Sequence, residues 1–226
     1  MVSAVTAVRY ERKWVPWGLS PAELLARVQR HPAGFHTAFP ERQVNNIYYD
    51  TPGMAYYFDH LSGVKDRVKV RLRWYGEFEA RQPGLVLEHK YKRGLTGWKE
   101  SLALPGATLE GVLHPGHAVR SWMGTHLAAL ARERMLNLQP TVANCYRRHY
   151  FVSAITGIRL TVDHDLGFYG INSSLRAWRR LAHQAPPVVI ELKYHEAQAD
   201  AAADIAAGLP FRLTRFSKYV LGVQGL

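Results

Sequence analysis

Four scarcities narrow the reading of this 226-residue chain. A single cysteine, Cys145, excludes an internal disulfide framework and any zinc site built from cysteines. No apolar run approaches the roughly 20 residues that a membrane-spanning helix needs. Neither the Gly-x-Gly-x-x-Gly fingerprint nor the phosphate-loop pattern occurs, so nothing marks a nucleotide-binding parallel sheet. Acidic residues are few: 18 Asp and Glu face 29 Lys and Arg, a formal net charge of +11. A field of that sign favours anionic partners such as nucleotides, polyphosphate, nucleic acid or anionic lipid. The stretch Met1–Tyr10 has no long apolar core, unlike a secretory signal, so a cytoplasmic location is expected.

Hydrophobic residues make up 47% of the chain, enough for a sizeable core, and no linker or repeat divides it. One domain over 1–226 is expected. Val5–Trp14 alternates as a strand, and Ser20-Pro21-Ala22-Glu23 carries a capping box that opens a helix ending near His31. Strand patterns follow at Gln43–Tyr49, Arg67–Tyr75, Leu85–Lys92 and Thr96–Leu104. A helical period covers Pro115–Leu138. Strands return at Thr141–Ser153, Gly157–Asp165 and Val188–Tyr194, with helices at Leu175–His183, Ala197–Ala207 and Thr214–Gly222.

The strands carry the charge. Arg67, Lys69, Arg71 and Arg73 fall on every second position and share one face; Val68, Val70, Leu72 and Trp74 share the other. Cations about 6.6 Å apart repel by about 2.5 kcal/mol per neighbouring pair at an effective dielectric near 20, so an enclosed row needs carboxylates or a polyanion. Glu11 with Lys13, Glu88 with Lys90, and Glu191 with Lys193 repeat the arrangement, and Tyr146-x-Arg148 and Arg159-x-Thr161-x-Asp163 extend it. The apolar faces must meet helices, which places the charges inside a closed sheet. Such a cavity can neutralise several phosphates and stabilise a transferring phosphoryl group. Glu191 and Glu88, then Glu11, are candidates to hold Mg²⁺ or Mn²⁺ through hard oxygens; each is alternatively a counterion for the cations. The histidines, among them His60, His89, His149, His164 and His195, are scattered without a metal-ligand pattern. Cys145 reads as a buried structural thiol.

In its ordered segments the chain resembles the VTC domain, the polyphosphate polymerase domain of the CYTH-like triphosphate tunnel metalloenzyme superfamily. The resemblance rests on Glu11-Arg12-Lys13-Trp14, Asn46-Ile47-Tyr48-Tyr49-Asp50-Thr51-Pro52, the run Arg67 to Gly76, Glu88-His89-Lys90, Trp98-Lys99-Glu100, Tyr146-Arg147-Arg148, Arg159 to Asp163, Glu191-Leu192-Lys193 and Phe216-Ser217-Lys218-Tyr219. It implies an α+β fold: an eight-stranded antiparallel β-barrel tunnel with helices packed outside. It implies transfer of the γ-phosphate of ATP to a growing polyphosphate chain with release of ADP, supported by Mn²⁺ or Mg²⁺.

Carried over by that resemblance, Arg71, Arg73, Lys90, Lys99, Arg148 and Arg159 clamp the reacting phosphates. Lys13, Lys69, Lys193, Arg215, Ser217 and Lys218 bind substrate, and Glu191 is the family's metal glutamate. Within this chain no regulatory or membrane segment accompanies the pattern, so control by inositol pyrophosphates and translocation are not implied. Hydrolytic relatives often alternate Glu-x-Glu-x-Lys in the first strand; here it is Arg9-x-Glu11-x-Lys13. Inorganic or nucleoside triphosphatase activity, or non-catalytic polyphosphate binding, are the alternatives. Nucleic acid is not an expected partner, because strict alternation suits an enclosed cavity better than a stacking platform. The expected oligomeric state is a monomer or a weak homodimer.

Overall fold

The alternation in Arg67–Tyr75 is realised as a regular strand: Val70, Leu72 and Trp74 are buried at 1%, 3% and 0% exposure, while Lys69, Arg71 and Arg73 point to the opposite face. The computed structural model describes residues 9–80, 84–94, 96–109, 135–172, 177–181 and 185–226. The helix expected over Pro115–Leu138 lies, as far as residue 134, outside the described residues.

The strands are β1 (Tyr10–Trp14), β2 (Phe35–Asp50), β3 (Asp66–Tyr75), β4 (Leu85–Arg93), β5 (Thr96–Leu104), β6 (Gln139–Ser153), β7 (Arg159–Asn172), β8 (Ala177–Arg180) and β9 (Val188–Tyr194). Helices are α1 (Pro21–Gln29), α2 (Ala55–Ser62), α3 (Ala199–Ala207) and α4 (Lys218–Gln224). All strand pairs are antiparallel, in the order β1-β9-β7-β6-β2-β3-β4-β5, with β8 beside β7.

Two expectations are corrected. Among the described residues the sheet has nine strands and is not closed into a barrel: β1 forms a ladder only with β9 and β5 only with β4, so the two ends of the path share no ladder. Curling does bring β1 and β4 within reach, but charged side chains meet there, Lys90 Nζ lying 2.6 Å from Glu11 Oε1. The ninth strand is the segment read as a helix at Leu175–His183. Its described part extends the β7 ladder, and Trp178 packs 5.0 Å from Phe78. Tertiary burial of that indole outweighs the weak helical preference of the segment.

Helices pack on both faces of the sheet, α1 and α3 on one and α4 on the other. At α1, Ser20 Oγ accepts from the Glu23 backbone N–H at 3.3 Å and Glu23 Oε2 accepts from Ser20 N–H at 2.9 Å, closing the capping box. Leu24 and Val28 of α1 and Ala202 and Ile205 of α3 bury against Phe35, Phe151, Leu160 and Ile190. A second cluster gathers Trp74, Leu85 and Leu87 with Phe78 and Trp178. Helix α4 lies on Tyr48, Val142 and Phe168 through Tyr219. That approach requires Gly222, where a Cβ would stand 2.9 Å from Phe168 Cδ1. Among the described residues no helix is long and apolar enough to cross a membrane.

Candidate functional site: a cationic cleft

The concave face forms a cleft of about 260 Å³ to which β1, β2, β3, β4, β5, β6, β9 and the start of α4 contribute. Its lining includes Arg9, Lys13, Lys69, Arg71, Arg73, Lys90, Lys92, Lys99, Arg148, Lys193 and Lys218, against only Glu11 and Glu191. Buried carboxylates behind the lining offset part of this charge. Glu88 accepts from Arg71 Nε and Lys99 Nζ, each at 2.7 Å, with Arg73 Nη1 at 3.6 Å. Asp163 holds Arg148 in a two-pronged pair at 2.5 and 2.7 Å and receives Lys218 Nζ at 2.5 Å. Two-pronged guanidinium–carboxylate pairs fix orientation as well as charge.

Lys13 is the centre of a third group. Its Nζ lies 3.0 Å from Glu191 Oε1 and 3.4 Å from Glu11 Oε2, and Lys193 Nζ lies 2.7 Å from Glu191 Oε2. Burial pushes the Glu191 carboxyl up, but Lys193, Lys13 and Arg148 outweigh it and hold it well below the ordinary range. Glu88 is likewise pushed up by burial and held low by Arg71, Arg73 and Lys99. Among the described residues no carboxylate pairs with Lys69, which donates to Ser217 Oγ at 2.9 Å. Burial, then Lys13 and Lys90, push its ammonium well below the usual lysine value. An anion entering the cleft reverses that cost.

The predicted residues therefore converge with two exceptions. Arg71, Arg73, Lys90, Lys99, Arg148, Lys13, Lys69, Lys193, Ser217, Lys218, Glu191 and Glu11 line the cleft, and Glu88 backs it. Arg159 and Arg215 are exposed and outside the lining. Sequence reasoning assigned no site role to Asp163, Tyr48 or Tyr146. Tyr146 supports Lys218 Nζ 4.5 Å and the Arg148 guanidinium 5.2 Å from its ring centroid, a cation–π platform. The alternation of Tyr146 with Arg148 and of Asp163 with Thr161 was the available signal.

The three glutamates do not form one metal-ligating group. Glu88 is committed to Arg71, Arg73 and Lys99, while Glu11 and Glu191 flank Lys13, with Lys90 on Glu11 and Lys193 and Arg148 on Glu191. The histidine expectation is also corrected. Glu41, His149 and His164 present one ligand atom each, all within 4.8 Å of one another, and can hold a divalent metal. Cys145 is half-buried, with burial pushing its thiol up, as befits a structural residue. Trp74 is fully buried and donates through Nε1 to Glu77 O at 3.0 Å, so no base can stack on it.

Solved structures of the same fold include HpAC1 from Hippeastrum, an adenylyl cyclase candidate described as having a dominant triphosphatase activity. It is 14% identical, with a TM-score of 0.54 and coverage of 97% of this chain and 96% of that one. An adenylate cyclase candidate from Bacillus halodurans is also 14% identical, with a TM-score of 0.55 and coverage of 94% and 95%. The PH1819 protein from Pyrococcus horikoshii is 12% identical, with a TM-score of 0.52 and coverage of 95% of both chains. Curated protein sequences give no match. The model of the VTC domain matches residues 22–226, so the chain belongs to the VTC domain family.

Proposed function

We propose that the cleft binds a linear triphosphate, inorganic or at the end of a nucleotide, and catalyses phosphoryl transfer from its terminal phosphate. The observation that carries this reading is the file of Lys69, Arg71 and Arg73 facing Lys90, Arg148 and Lys218 in one cleft, with far more cations than carboxylates. Arg71 and Arg73 offer planar donor forks, and Lys69 and Lys218 compact point charges. Together they favour the charge that spreads over the transferring phosphoryl oxygens. Glu11 and Glu191 are the residues that would hold a divalent cation, which would supply further charge neutralisation on the phosphates.

Water is the acceptor supported first. The sheet is open between β1 and β5, and a hydrolytic outcome needs only solvent beside the bound terminal phosphate. A water oxygen forms the new P–O bond, the bridging P–O bond breaks, and tripolyphosphate yields pyrophosphate and orthophosphate. The triphosphatase activity described for HpAC1 supports the same outcome. A second reading, extension of polyphosphate from ATP, is favoured by the VTC match over 22–226. There the acceptor is the terminal oxygen of a phosphate chain, already ionised at neutral pH, so no protein base is required.

Incubation with tripolyphosphate or ATP and Mn²⁺ or Mg²⁺, read by ion chromatography and gel sizing, tests the proposal. Orthophosphate release that stops with chelator is the expected result. ADP together with long phosphate chains would select the second reading. Tight, salt-sensitive polyphosphate binding without turnover under either cation would overturn catalysis altogether.

A further inference from the structure

Glu41, His149 and His164 lie on the face of the sheet opposite the cleft. His149 follows Arg148 and His164 follows Asp163, so strand alternation turns both imidazoles away from the cleft-facing pair, and none of the three lines the cleft. A register shift at Cys145/Arg147 sets Arg147 opposite His164 and His149 opposite Val162, which makes the two histidines diagonal neighbours with rings 5.2 Å apart. Glu41 reaches them through a bulge. The β2–β6 ladder passes from Phe39↔Tyr150 to Arg42↔Arg148, leaving Pro40 and Glu41 together against His149.

The polar atoms are arranged as ligands are. Glu41 Oε2 lies 2.9 Å from His149 Nε2 and 3.6 Å from His164 Nε2. Tetrahedral ligands about 2.1 Å from a zinc ion stand roughly 3.4 Å apart, close to both Glu41–histidine separations, and the three ligand atoms all lie within 4.8 Å of one another. His164 is nine-tenths buried and its Nε2 has no hydrogen-bond partner among the described residues. Its Nδ1 faces Asp165 Oδ2 at 3.2 Å. That contact places the ring proton on Nδ1 and leaves Nε2 with a lone pair aimed at the Glu41 carboxylate, acceptor against acceptor. A carboxylate behind a histidine is also the usual second support of a metal-bound imidazole. Asp165 adopts φ 52°, a left-handed conformation unusual for a side-chain-bearing residue. Arg147 Nη1 binds Glu41 Oε1 at 2.6 Å, so only Oε2 is turned to the histidines.

We infer that Glu41 Oε2, His149 Nε2 and His164 Nε2 form a transition-metal site of the zinc class, separate from the cleft and braced by Asp165. Two imidazoles and one carboxylate suit Zn²⁺ or Co²⁺ better than Mg²⁺. The bound ion pins the bulge of β2 to β6 and β7 directly behind the Arg148–Asp163 pair.

Titration of the full chain with Co²⁺, followed by visible absorption, and thermal unfolding with Zn²⁺ test this. One equivalent of Co²⁺ is expected to give a four-coordinate spectrum that Zn²⁺ bleaches, with a Zn²⁺-dependent rise in Tm. Glu41→Gln and His164→Ala should each abolish the spectrum; Glu41→Gln, at the more exposed residue, keeps the test meaningful if His164→Ala folds poorly. Asp165→Asn tolerates the same backbone conformation and should weaken binding about 10–100-fold. Glu191→Gln should leave the spectrum unchanged. A wild-type protein that gives no spectrum, as when Glu41 and the histidines share only a proton, overturns the site. So does a spectrum lost in Glu191→Gln and kept in Glu41→Gln. Neither outcome depends on turnover of phosphate.

Discussion

Lys218 Nζ lies 2.5 Å from Asp163 Oδ2, joining the first residue of α4 to the middle of β7 beneath the cleft. Asp163 is fully buried and also carries the two-pronged pair with Arg148. Burial raises its carboxyl, but Arg148 and Lys218 outweigh that and hold it below the ordinary aspartate range. Replacement by asparagine keeps the shape and removes the charge, leaving two cations facing each other. Breaking a buried pair in this way typically costs about 3–5 kcal/mol. Asp163→Asn is therefore expected to lower denaturant stability by about that amount. Added tripolyphosphate should recover more stability in the variant than in the wild type, because the anion replaces the lost counter-charge. Equal recovery in the two proteins would show that bound phosphate does not reach Arg148 and Lys218.

Neighbours on β3 should separate function from folding. Arg73 faces the cleft, donating to Asn46 Oδ1 at 3.1 Å, while Trp74 is fully buried on the other side. Arg73→Ala is expected to reduce phosphoryl transfer about 10²–10³-fold, on the scale of losing one donor to transition-state charge. Glu88 retains Arg71 and Lys99, so unfolding should change little. Trp74→Ala should instead cost about 3–5 kcal/mol of stability through the cavity it leaves. Urea unfolding and initial rates on tripolyphosphate, measured in parallel, give the comparison. A large stability loss in Arg73→Ala with normal rates would reverse the assignment of the two faces.

This division of β3 was legible because a strand has period two and one uninterrupted face of cations has few places to go. The C-terminal Ser217-Lys218 pair was placed by family resemblance and meets the cleft through the Lys69–Ser217 hydrogen bond. Other features depended on contacts that no local pattern records. Closure of the sheet turns on whether its end strands share a ladder; here Glu11 and Lys90 meet through side chains while β1 and β5 stay unpaired. The helical reading near Trp178 failed because Phe78, a hundred residues earlier, draws that indole onto the β7 edge. His149 and His164 meet Glu41 only because of two register irregularities, one beside Pro40 and one between Cys145 and Arg147. Arg159 has the alternation and pairs across the ladder with the cleft residue Lys193, yet at the start of β7 its side chain is exposed and outside the lining.

Binding of a polyanion should take up protons. Lys69 is pushed well below its ordinary value by burial and then by Lys13 and Lys90; Lys92 is lowered by burial and by Arg67. A bound phosphate chain raises these ammonium groups again. Between their lowered values and the ordinary lysine value near 10.4, the complex therefore holds more protons than the free protein. Long-chain polyphosphate is the suitable ligand, since its internal phosphates carry no titratable proton in this range. Calorimetry at pH 9 in two buffers of different ionisation enthalpy should show net uptake, diminished in Lys69→Met. A binding enthalpy independent of buffer, or net release, would mean that Lys69 is already charged in the free cleft.

The C-terminal helix is anchored by a buried contact rather than by its own length, which is only Lys218–Gln224. The Tyr219 hydroxyl donates to Asp50, whose carboxylate also accepts from the backbone N–H groups of Thr51, Tyr56 and Tyr57 at 2.7, 2.9 and 2.8 Å. Asp50 thus ties the start of α2 and the start of α4 to the end of β2. Tyr219→Phe removes one donor and leaves the three backbone donors, so the expected loss is about 1–2 kcal/mol, the scale of one buried hydrogen bond. The ring itself keeps its packing on Tyr48, 5.0 Å away. A looser α4 moves Ser217 and Lys218 with it, and these bind Lys69 and Asp163 at the cleft wall. The variant is therefore expected to raise KM for tripolyphosphate several-fold while altering kcat less. A variant with the stability loss but an unchanged KM would show that the helix holds its cleft residues through Gly222 packing and the Asp163 contact alone.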